Sequence, residues 1–447
     1  MKITKVSVED LFYSYSYSID FKTDTPVSII HAPNGYGKTT IFTLIRDVLD
    51  LNIKGLYKIP FKSFSIHLSD STSINVVKNE EKDDNGCRYT FPVEITVSQG
   101  KNRPQKLILN RNKLPYYMED IRPPYQLERF INEIIKENRK FIDEFIKIRK
   151  NIEIHFIETN RLYVQSSFDS IFSFLESEKR NSYPRNDTSR RNPHASIEAN
   201  ERIRQCAVNL RNLINSVKQL YSTTSEEIDR SFPNRLVAAV KEKCEHFSEE
   251  EIKSKLVELD AKRKELKITG FISGEQNEPL LSISDFDETL MIFYTLYIKD
   301  TFRKLSHYDD IKKKIELFLR IINERTPFSN KEMSIISSEG RVCFKPKGAS
   351  TKSTNEIELE ELSSGEKHDF ILFYELIFNS DEKSVFLIDE PEISLHVAWQ
   401  VEYVKIIEDI CGMNNMQIII ATHSPDIVND REDLLIGLEL EEKENGK

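Results

Sequence analysis

Apolar and polar positions alternate along much of the first 110 residues, a pattern typical of β-strands that bury one face. In the segment YSYSYS this alternation would place Tyr13, Tyr15 and Tyr17 on one face of a strand. A short apolar run at 27–30 then ends in a glycine-containing loop, and from Lys38 onward apolar residues recur at helical spacing. The N-terminal part is therefore predicted to be strands, with one loop that leads directly into a helix.

The middle of the chain has a different pattern, in which charged residues separate apolar ones at helical spacing, as at 128–148, 201–220 and 249–266. After residue 335 strands and helices alternate again. We therefore predict an α/β fold, a mixed sheet with flanking helices that is formed by both ends of the chain. The predicted parts are an N-terminal lobe, a large mostly helical insertion and a C-terminal lobe, at 1–120, 121–335 and 336–447.

One polar, arginine-rich stretch within the predicted insertion, at about 177–196, lacks apolar periodicity. Such a composition favours a mobile loop. A contact with nucleic acid or with a protein partner is the alternative.

The composition of the chain argues against several classes of protein. The chain has 447 residues and a net charge of −10, which argues against a surface that grips nucleic acid everywhere, although a local basic patch is compatible with that total. Its five cysteines are far apart and form no CxxC pair, so neither a disulfide framework nor a zinc site is indicated. No stretch approaches the roughly 20 apolar residues that span a bilayer, and the first residues alternate like a strand and lack the apolar run of a signal peptide. A cytoplasmic protein is expected.

The loop from Ala32 to Thr39 reads AxxxxGKT. Glycines let backbone N–H groups approach a phosphate, the Lys38 ammonium would reach the β- and γ-phosphates, and the Thr39 hydroxyl would bind Mg²⁺. Ala32 stands where such loops usually have glycine, and a chance GKT turn is the bland alternative. We predict nucleotide contacts along this loop from Asn34, Gly35, Tyr36, Gly37, Lys38, Thr39 and Thr40.

Two strands of the C-terminal part are predicted to end in residues suited to catalysis. The four apolar residues before Asp389 indicate a strand buried on both faces, so that Asp389 would hold Mg²⁺ and Glu390 would polarise an attacking water as general base. The strand IIIAT is followed by His423, which would lie beside these carboxylates and touch a γ-phosphate. Acidic residues also end strands for structural reasons, and a lone histidine is more often structural.

A fourth motif, LSSGEKH, precedes an apolar-periodic helix. In the functional interpretation the helix dipole and backbone N–H groups would meet a γ-phosphate. In the structural interpretation the motif is only a helix N-cap. We predict nucleotide contacts from Ser363, Ser364, Gly365 and Glu366.

In this order and spacing the four motifs resemble the ABC-type P-loop ATPases of the SMC, RecF and OLD-nuclease group, over roughly 1–60 and 340–430. DEPEISLH followed by AWQ is most similar to the OLD and RecF members, with His396 where transporters have aspartate. The resemblance implies an ABC-type ATPase head that binds ATP and Mg²⁺. It also implies that the signature residues of one subunit cap ATP held by another, so that ATP joins a homo-oligomer, with Ser394 and Leu395 at the interface loop.

Two further elements follow from the resemblance. A glutamine that senses Mg²⁺ and ATP usually follows a strand before the helical insertion, and IHFIETNRLYVQ offers Gln165 or Asn160 for this role. An aromatic residue against adenine would be Phe12, Tyr13 or Tyr15. For these three residues, packing within the sheet is the alternative.

For the biological role, the chain resembles the stand-alone ATPase subunits of anti-phage systems of the PARIS and Septu type. The resemblance implies a separate Toprim or HNH nuclease subunit as partner and a phage protein as trigger. One alternative is a DNA repair or recombination ATPase that clamps DNA. Another is an assembly scaffold that binds ATP with little turnover.

Overall fold

The computed structural model describes residues 1–80, 89–100, 102–109, 132–158, 199–268, 271–272, 287–325, 330–336, 340–348, 356–395 and 397–438. The chain divides into two compact units, one formed by Met1–Ile197 with Asn379–Lys447 and the other by Glu198–Phe378. The first unit contains the two larger sheets, and the second is mostly helical.

The described strands form three sheets. They are β1 (Ile3–Leu11), β2 (Tyr15–Asp20), β3 (Val27–His31), β4 (Ser63–Leu68), β5 (Thr72–Glu80), β6 (Tyr89–Gln99), β7 (Gln105–Leu109), β8 (Glu153–Glu158), β9 (Lys331–Ile336), β10 (Arg341–Pro346), β11 (Ser384–Asp389), β12 (Gln417–Thr422) and β13 (Leu435–Gly437).

The described α-helices are α1 (Lys38–Leu49), α2 (Ile53–Lys58), α3 (Arg139–Arg149), α4 (Ala199–Lys241), α5 (Glu249–Ile268), α6 (Glu288–Leu305), α7 (Asp309–Arg325), α8 (Ser364–Phe378), α9 (Val397–Asn414) and α10 (Pro425–Val428). Short 3-10 turns cover Ser306–Tyr308, Leu359–Glu361, Pro391–Ser394 and Glu432–Leu434. None of the described helices combines the length and the apolar character needed to cross a bilayer.

The parallel sheet of the first unit has the strand order β13-β3-β12-β11-β8. Every residue of β11 and β12 is buried, which is why both strands are continuous apolar runs rather than alternating ones. In parallel strands all carboxyl ends lie at one edge of the sheet. The loops that follow β3, β11 and β12 therefore meet at that edge.

The second sheet of this unit is antiparallel, with the order β2-β1-β4-β5-β6-β7. One apolar cluster joins its strands to α1, to α3 and to the parallel sheet. The two sheets are also joined by polar contacts, because the buried amide of Gln417 at the start of β12 accepts from the Ile3 N–H and donates to the Ile3 carbonyl, both at 2.8 Å. The core of this unit thus contains residues from both the N-terminal and the C-terminal part of the chain.

In the helical unit, α4 and α5 both pack against α6. Arg235 of α4 donates two hydrogen bonds to the carboxylate of Asp300 on α6, at 2.7 and 2.8 Å, a fork-to-fork geometry that aligns the two helices. The strands β9 and β10 pair as a hairpin in this unit, and α8 packs against α4 and α7.

The element predictions hold for α1, α5, β10, β11 and β12. The segment 153–158 lies within the predicted helical insertion, but it is strand β8 and extends the parallel sheet beside β11, in keeping with the strand that the resemblance implied before Gln165. The compact units change at residues 198 and 379, whereas the predicted divisions fall at 121 and 336. The three-part division therefore stays a prediction. The arginine-rich stretch at 177–196 lies outside the described residues.

Candidate functional site

The loop between β3 and α1 has the backbone conformation that the phosphate-binding motif requires. Gly35 and Gly37 have φ values of +88° and +81°, in the left-handed region that side chains rarely adopt. At Gly37, the residue before α1, a Cβ would also lie 3.0 Å from Cδ2 of Leu11. Both glycines are thus needed where they stand.

Ala32, the departure from the usual motif, is not among the residues with positive φ and is buried. Any residue can therefore adopt this backbone conformation, and alanine in place of glycine does not strain the backbone of the loop. The Lys38 side chain folds back over this part of the loop, because its Nζ donates to the carbonyl oxygens of Ala32 at 2.8 Å and Pro33 at 3.1 Å. These contacts hold the ammonium within the curve of the loop.

The first turn of α1 meets the end of β11. The Thr39 hydroxyl donates to Oδ2 of Asp389 at 2.5 Å, although the two residues are 350 positions apart in the chain. Burial raises the pKa of Asp389 from its ordinary 3.8 to about 6, and the charges of Glu390 and Glu158 act in the same direction. The Thr39 hydrogen bond and the Lys38 charge oppose this rise. The loop lysine and the strand carboxylate therefore share one electrostatic environment.

Glu390, the residue after β11, has φ 46° and ψ 55°, the left-handed conformation in a residue that has a side chain. Such a conformation costs on the order of 1 kcal/mol and persists only where the surroundings impose it. Here the Glu390 N–H donates to the Ala421 carbonyl at 2.8 Å, which continues the pairing of β11 with β12 by one residue. Strain of this kind often marks a functional residue.

His423, the residue after β12, lies beside Glu390 as predicted. Its Nδ1 is 3.6 Å from Oε1 of Glu390 and 3.0 Å from Oε1 of Glu392. The imidazole is 41% exposed, so part of the ring is accessible to a ligand. Asp389, Glu390 and His423 thus end neighbouring strands at the same edge of the sheet as the phosphate-binding loop.

Two carboxylates of this region had no role in the sequence-based prediction. Glu158 ends β8 and is the register partner of Asp389, which explains its effect on the pKa of Asp389. Glu392 lies in the turn after β11 and contacts His423. Glu392 is the second glutamate of the motif DEPE, so the sequence did offer a signal for it. Glu158 could have been predicted only with the knowledge that β8 joins the sheet.

The signature residues lie in the other unit, at the N-terminus of α8. The Glu366 N–H donates to the Ser363 hydroxyl at 3.3 Å, and the Ser363 N–H donates to Oε2 of Glu366 at 2.7 Å. These reciprocal bonds form a capping box. Glu366 also pairs with Lys331 at 2.9 Å. LSSGEKH therefore caps helix α8, and the capping does not test whether the motif also contacts a phosphate.

The aromatic candidates for adenine divide into two groups. Tyr15 stacks on Tyr17 with ring centroids 6.0 Å apart and also contacts Tyr36 of the phosphate-binding loop at 6.1 Å. Tyr13 does not share their face, because it precedes β2 in a turn where it and Phe12 have positive φ. Phe12 and Tyr13 are each 40% exposed. Tyr15 therefore supports the loop, whereas the turn offers accessible rings.

A magnesium ion is consistent with the oxygen donors of this edge. The described residues contain no group of three or more histidine, cysteine, aspartate or glutamate side chains that could hold a metal by themselves. Magnesium in nucleotide sites is held by one or two protein oxygens together with phosphates and water. The adjoining oxygens of Thr39 and Asp389 suit that arrangement.

Several predicted residues cannot be assigned a place. Asn160, Gln165 and His396 lie outside the described residues, as does the side chain of Ser394. Leu395, predicted at an interface, is buried, and its carbonyl accepts from the amide of Gln400 at 3.3 Å. Its place at an interface stays a prediction.

The sequence of this chain matches the AAA ATPase domain family over residues 1–428. Among curated proteins, no sequence matches. Solved structures similar to it include an Smc head bound to the C-winged helix domain of ScpA, at 13% identity, covering 98% of this chain and 94% of that chain, with a TM-score of 0.39. An Smc head domain with a coiled coil and joint from Pyrococcus yayanosii is similar at 15% identity, covering 97% of this chain and 94% of that chain, with a TM-score of 0.30.

The family match spans nearly the whole chain, including both sheets and the helical unit. The predicted fold class, a P-loop ATPase head with mixed α/β sheets, flanking helices and a large helical region, is confirmed. An ATPase domain implies that the protein binds ATP. The chain belongs to the AAA ATPase domain family.

Proposed function

We propose that this protein hydrolyses ATP at a composite site completed by a second copy of the chain. One copy would supply the phosphate-binding loop with Asp389, Glu390 and His423. The other copy would supply the N-terminus of α8. ATP would then act both as the substrate and as the link between the copies.

The observation that carries this proposal is the 2.5 Å contact between Thr39 and Asp389. It brings the hydroxyl that follows the loop lysine to the carboxylate that ends a buried parallel strand. Phosphate-binding ATPases use this pair of oxygens for the magnesium of the bound nucleotide. One magnesium-bound triphosphate could therefore contact residues from both the N-terminal and the C-terminal part of the chain.

Each residue would have a separate task. The Lys38 ammonium would leave the loop carbonyls and bind the β- and γ-phosphates, while Mg²⁺ held by Thr39 and Asp389 would neutralise developing charge on the phosphate oxygens. Glu390 would accept a proton from the attacking water. When protonated on both nitrogens, His423 would donate a hydrogen bond to the γ-phosphate from Nε2 while Nδ1 faces the carboxylates of Glu390 and Glu392.

The contribution of α8 is supported by the empty space around Gly365. A Cβ built on Gly365 would meet no atom within 4 Å, and its φ is not positive, so neither packing nor backbone conformation requires glycine there. A close approach by a phosphate of a neighbouring copy would require it. The Ser363 hydroxyl accepts from Glu366, which leaves its own proton to donate to that phosphate.

The composite site can be tested by mixing two inactive variants. Lys38→Ala removes the phosphate-binding ammonium, and Gly365→Asp places a negative charge where the γ-phosphate of the neighbour would lie. In a mixed pair one site contains both defects and the other contains none. Mixed pairs isolated through two tags should therefore have about half of the wild-type rate, because one of their two symmetry-related sites is intact.

The exposed Lys58→Ala variant is the control for loss of a lysine. Wild-type turnover no higher than that of Lys38→Ala would contradict ATP hydrolysis. Active wild type, with co-purified mixed pairs that stay inactive, would contradict the composite site alone.

For the biological role, we propose that this ATPase holds or activates a separate nuclease subunit of the Toprim or HNH type in an anti-phage defence system, with a phage protein as trigger. The support is the resemblance of the DEPEISLH segment to the OLD and RecF side of the ATPases. Affinity purification from the native host tests it, and a co-purified nuclease is the expected result. Salt-sensitive, ATP-stimulated retention of DNA without such a partner would favour a repair ATPase instead.

A further inference from the structure

Glu392 has a buried carboxylate that the proposed chemistry does not use. It lies in the 3-10 turn after β11, and its side chain is only 6% exposed. A single oxygen, Oε1, receives the Thr422 hydroxyl at 2.7 Å, the His423 backbone N–H at 3.0 Å and lies 3.0 Å from His423 Nδ1. Burial of a carboxylate is costly unless such contacts offset it.

The turn that carries Glu392 is fixed on its other side by neutral groups. The Gln400 amide donates to the carbonyl oxygens of Glu392 and Leu395, at 3.4 and 3.3 Å. The Gln400 carbonyl oxygen accepts from the Ser424 hydroxyl at 2.8 Å. These hydrogen bonds join the turn after β11 to the loop after β12, as the contacts of Glu392 with Thr422 and His423 also do.

Two carboxylates lie near one nitrogen of His423. Oε1 of Glu392 is 3.0 Å from Nδ1, and a negative charge at that distance favours a proton on Nδ1 of the imidazole. Oε1 of Glu390, at 3.6 Å, faces the same nitrogen and favours the same proton position. Nε2 then remains for the nucleotide, and it can donate to a phosphate only when both ring nitrogens carry a proton.

We propose that Glu392 is a positioning residue that fixes the orientation of His423 and keeps its Nδ1 protonated during ATP hydrolysis. This inference rests on the proposed function. The arrangement Glu392–His423–phosphate follows the general logic in which a buried carboxylate orients a histidine through one nitrogen while the other nitrogen acts on substrate. Glu390 remains the base, and Glu392 acts only through the histidine.

The inference predicts a specific loss in Glu392→Gln. The amide keeps the shape and an oxygen acceptor for Thr422, but it removes the negative charge that favours a proton on Nδ1 of His423. We expect kcat to fall by roughly tenfold or more while KM for ATP changes little. Glu408→Gln is the matched control, since Glu408 is a partly buried carboxylate of α9 that pairs with Arg431 away from His423.

The direct readout is the ¹⁵N spectrum of the histidine side chains, with His423 assigned by its loss in His423→Asn. Wild type should show a proton on Nδ1, and Glu392→Gln should shift that signal toward protonation of Nε2 alone. An unprotonated Nδ1 in wild type overturns the inference even if Glu392→Gln fails to fold. So does a Glu392→Gln enzyme with wild-type kcat and an unchanged His423 signal. Lack of ATP turnover in wild type would instead contradict the proposed function, and the spectrum of His423 would still report on Glu392.

Discussion

The hydroxyl of Thr39 and the carboxylate of Asp389 are in hydrogen-bond contact across 350 residues of chain. Strand order explains this contact. β3 and β11 flank β12 in the parallel sheet, so the loop after β3 and the end of β11 lie at the same edge. The helix that follows the loop then needs only its first turn to reach Asp389.

Replacement of Glu390 by glutamine should trap the nucleotide. The amide preserves the size of the side chain but cannot accept the proton of water, so ATP should bind and remain intact. Copies held together by ATP should then stay paired on size-exclusion chromatography. Glu402→Gln, at an exposed position of α9, is the control. A Glu390→Gln enzyme that hydrolyses ATP at the wild-type rate would show that another residue is the base.

Gly365→Ala should lower ATP turnover without lowering the stability of the protein. The added methyl has open space and lies in the first turn of α8, where alanine is the better helix former, so the melting temperature should be unchanged or higher. ATP turnover should nevertheless fall, because the methyl would occupy the approach of the neighbour's phosphate. Gly412→Ala in α9, also in open space, should change neither property. Retained turnover in Gly365→Ala would argue against contact at this glycine.

Asp389→Asn should stabilise the protein in a pH-dependent way. Because the pKa of Asp389 in the folded state, about 6, lies above its ordinary 3.8, the ionised carboxylate destabilises the native state above the folded pKa. Below the unfolded pKa both states are protonated and this effect disappears. In the absence of nucleotide and magnesium, the variant should therefore melt a few degrees higher than wild type near about pH 8, with the difference lost near about pH 4. An equal difference at both pH values would contradict the raised pKa.

Gly55→Ala should destabilise the fold although Gly55 lies in a helix, α2, where alanine is usually favoured. A Cβ there would lie 1.9 Å from Oδ2 of Asp47, a buried carboxylate held by Arg46 and by Asn52. The free energy of unfolding should fall by about 1–3 kcal/mol, as for overpacking in a rigid core. Chemical denaturation measures this change. A neutral effect would mean that the Asp47 side chain can move aside.

The parts of the site that could be predicted from sequence are those that depend only on residues close together in the chain. Val385 to Ile388 form a continuous apolar run because both faces of β11 are buried, and Gly35 and Gly37 stand where backbone N–H groups must approach a phosphate. The role of β8 was not predictable, because the segment EIHFIE alternates like any half-buried strand and its partner is chosen by tertiary packing. Glu392 was missed for a similar reason, since its burial depends on how the turn after β11 folds against β12.

The same sheet order has a consequence for how such a protein can change over evolution. β8 and β11 are parallel neighbours, and the chain segment between them contains the whole helical unit. Parallel neighbours always need a long connection, but the register of the strands does not depend on its length or content. Helices can therefore be added, removed or exchanged in this crossover to suit a new partner, while the strands that hold the nucleotide chemistry keep their pairing.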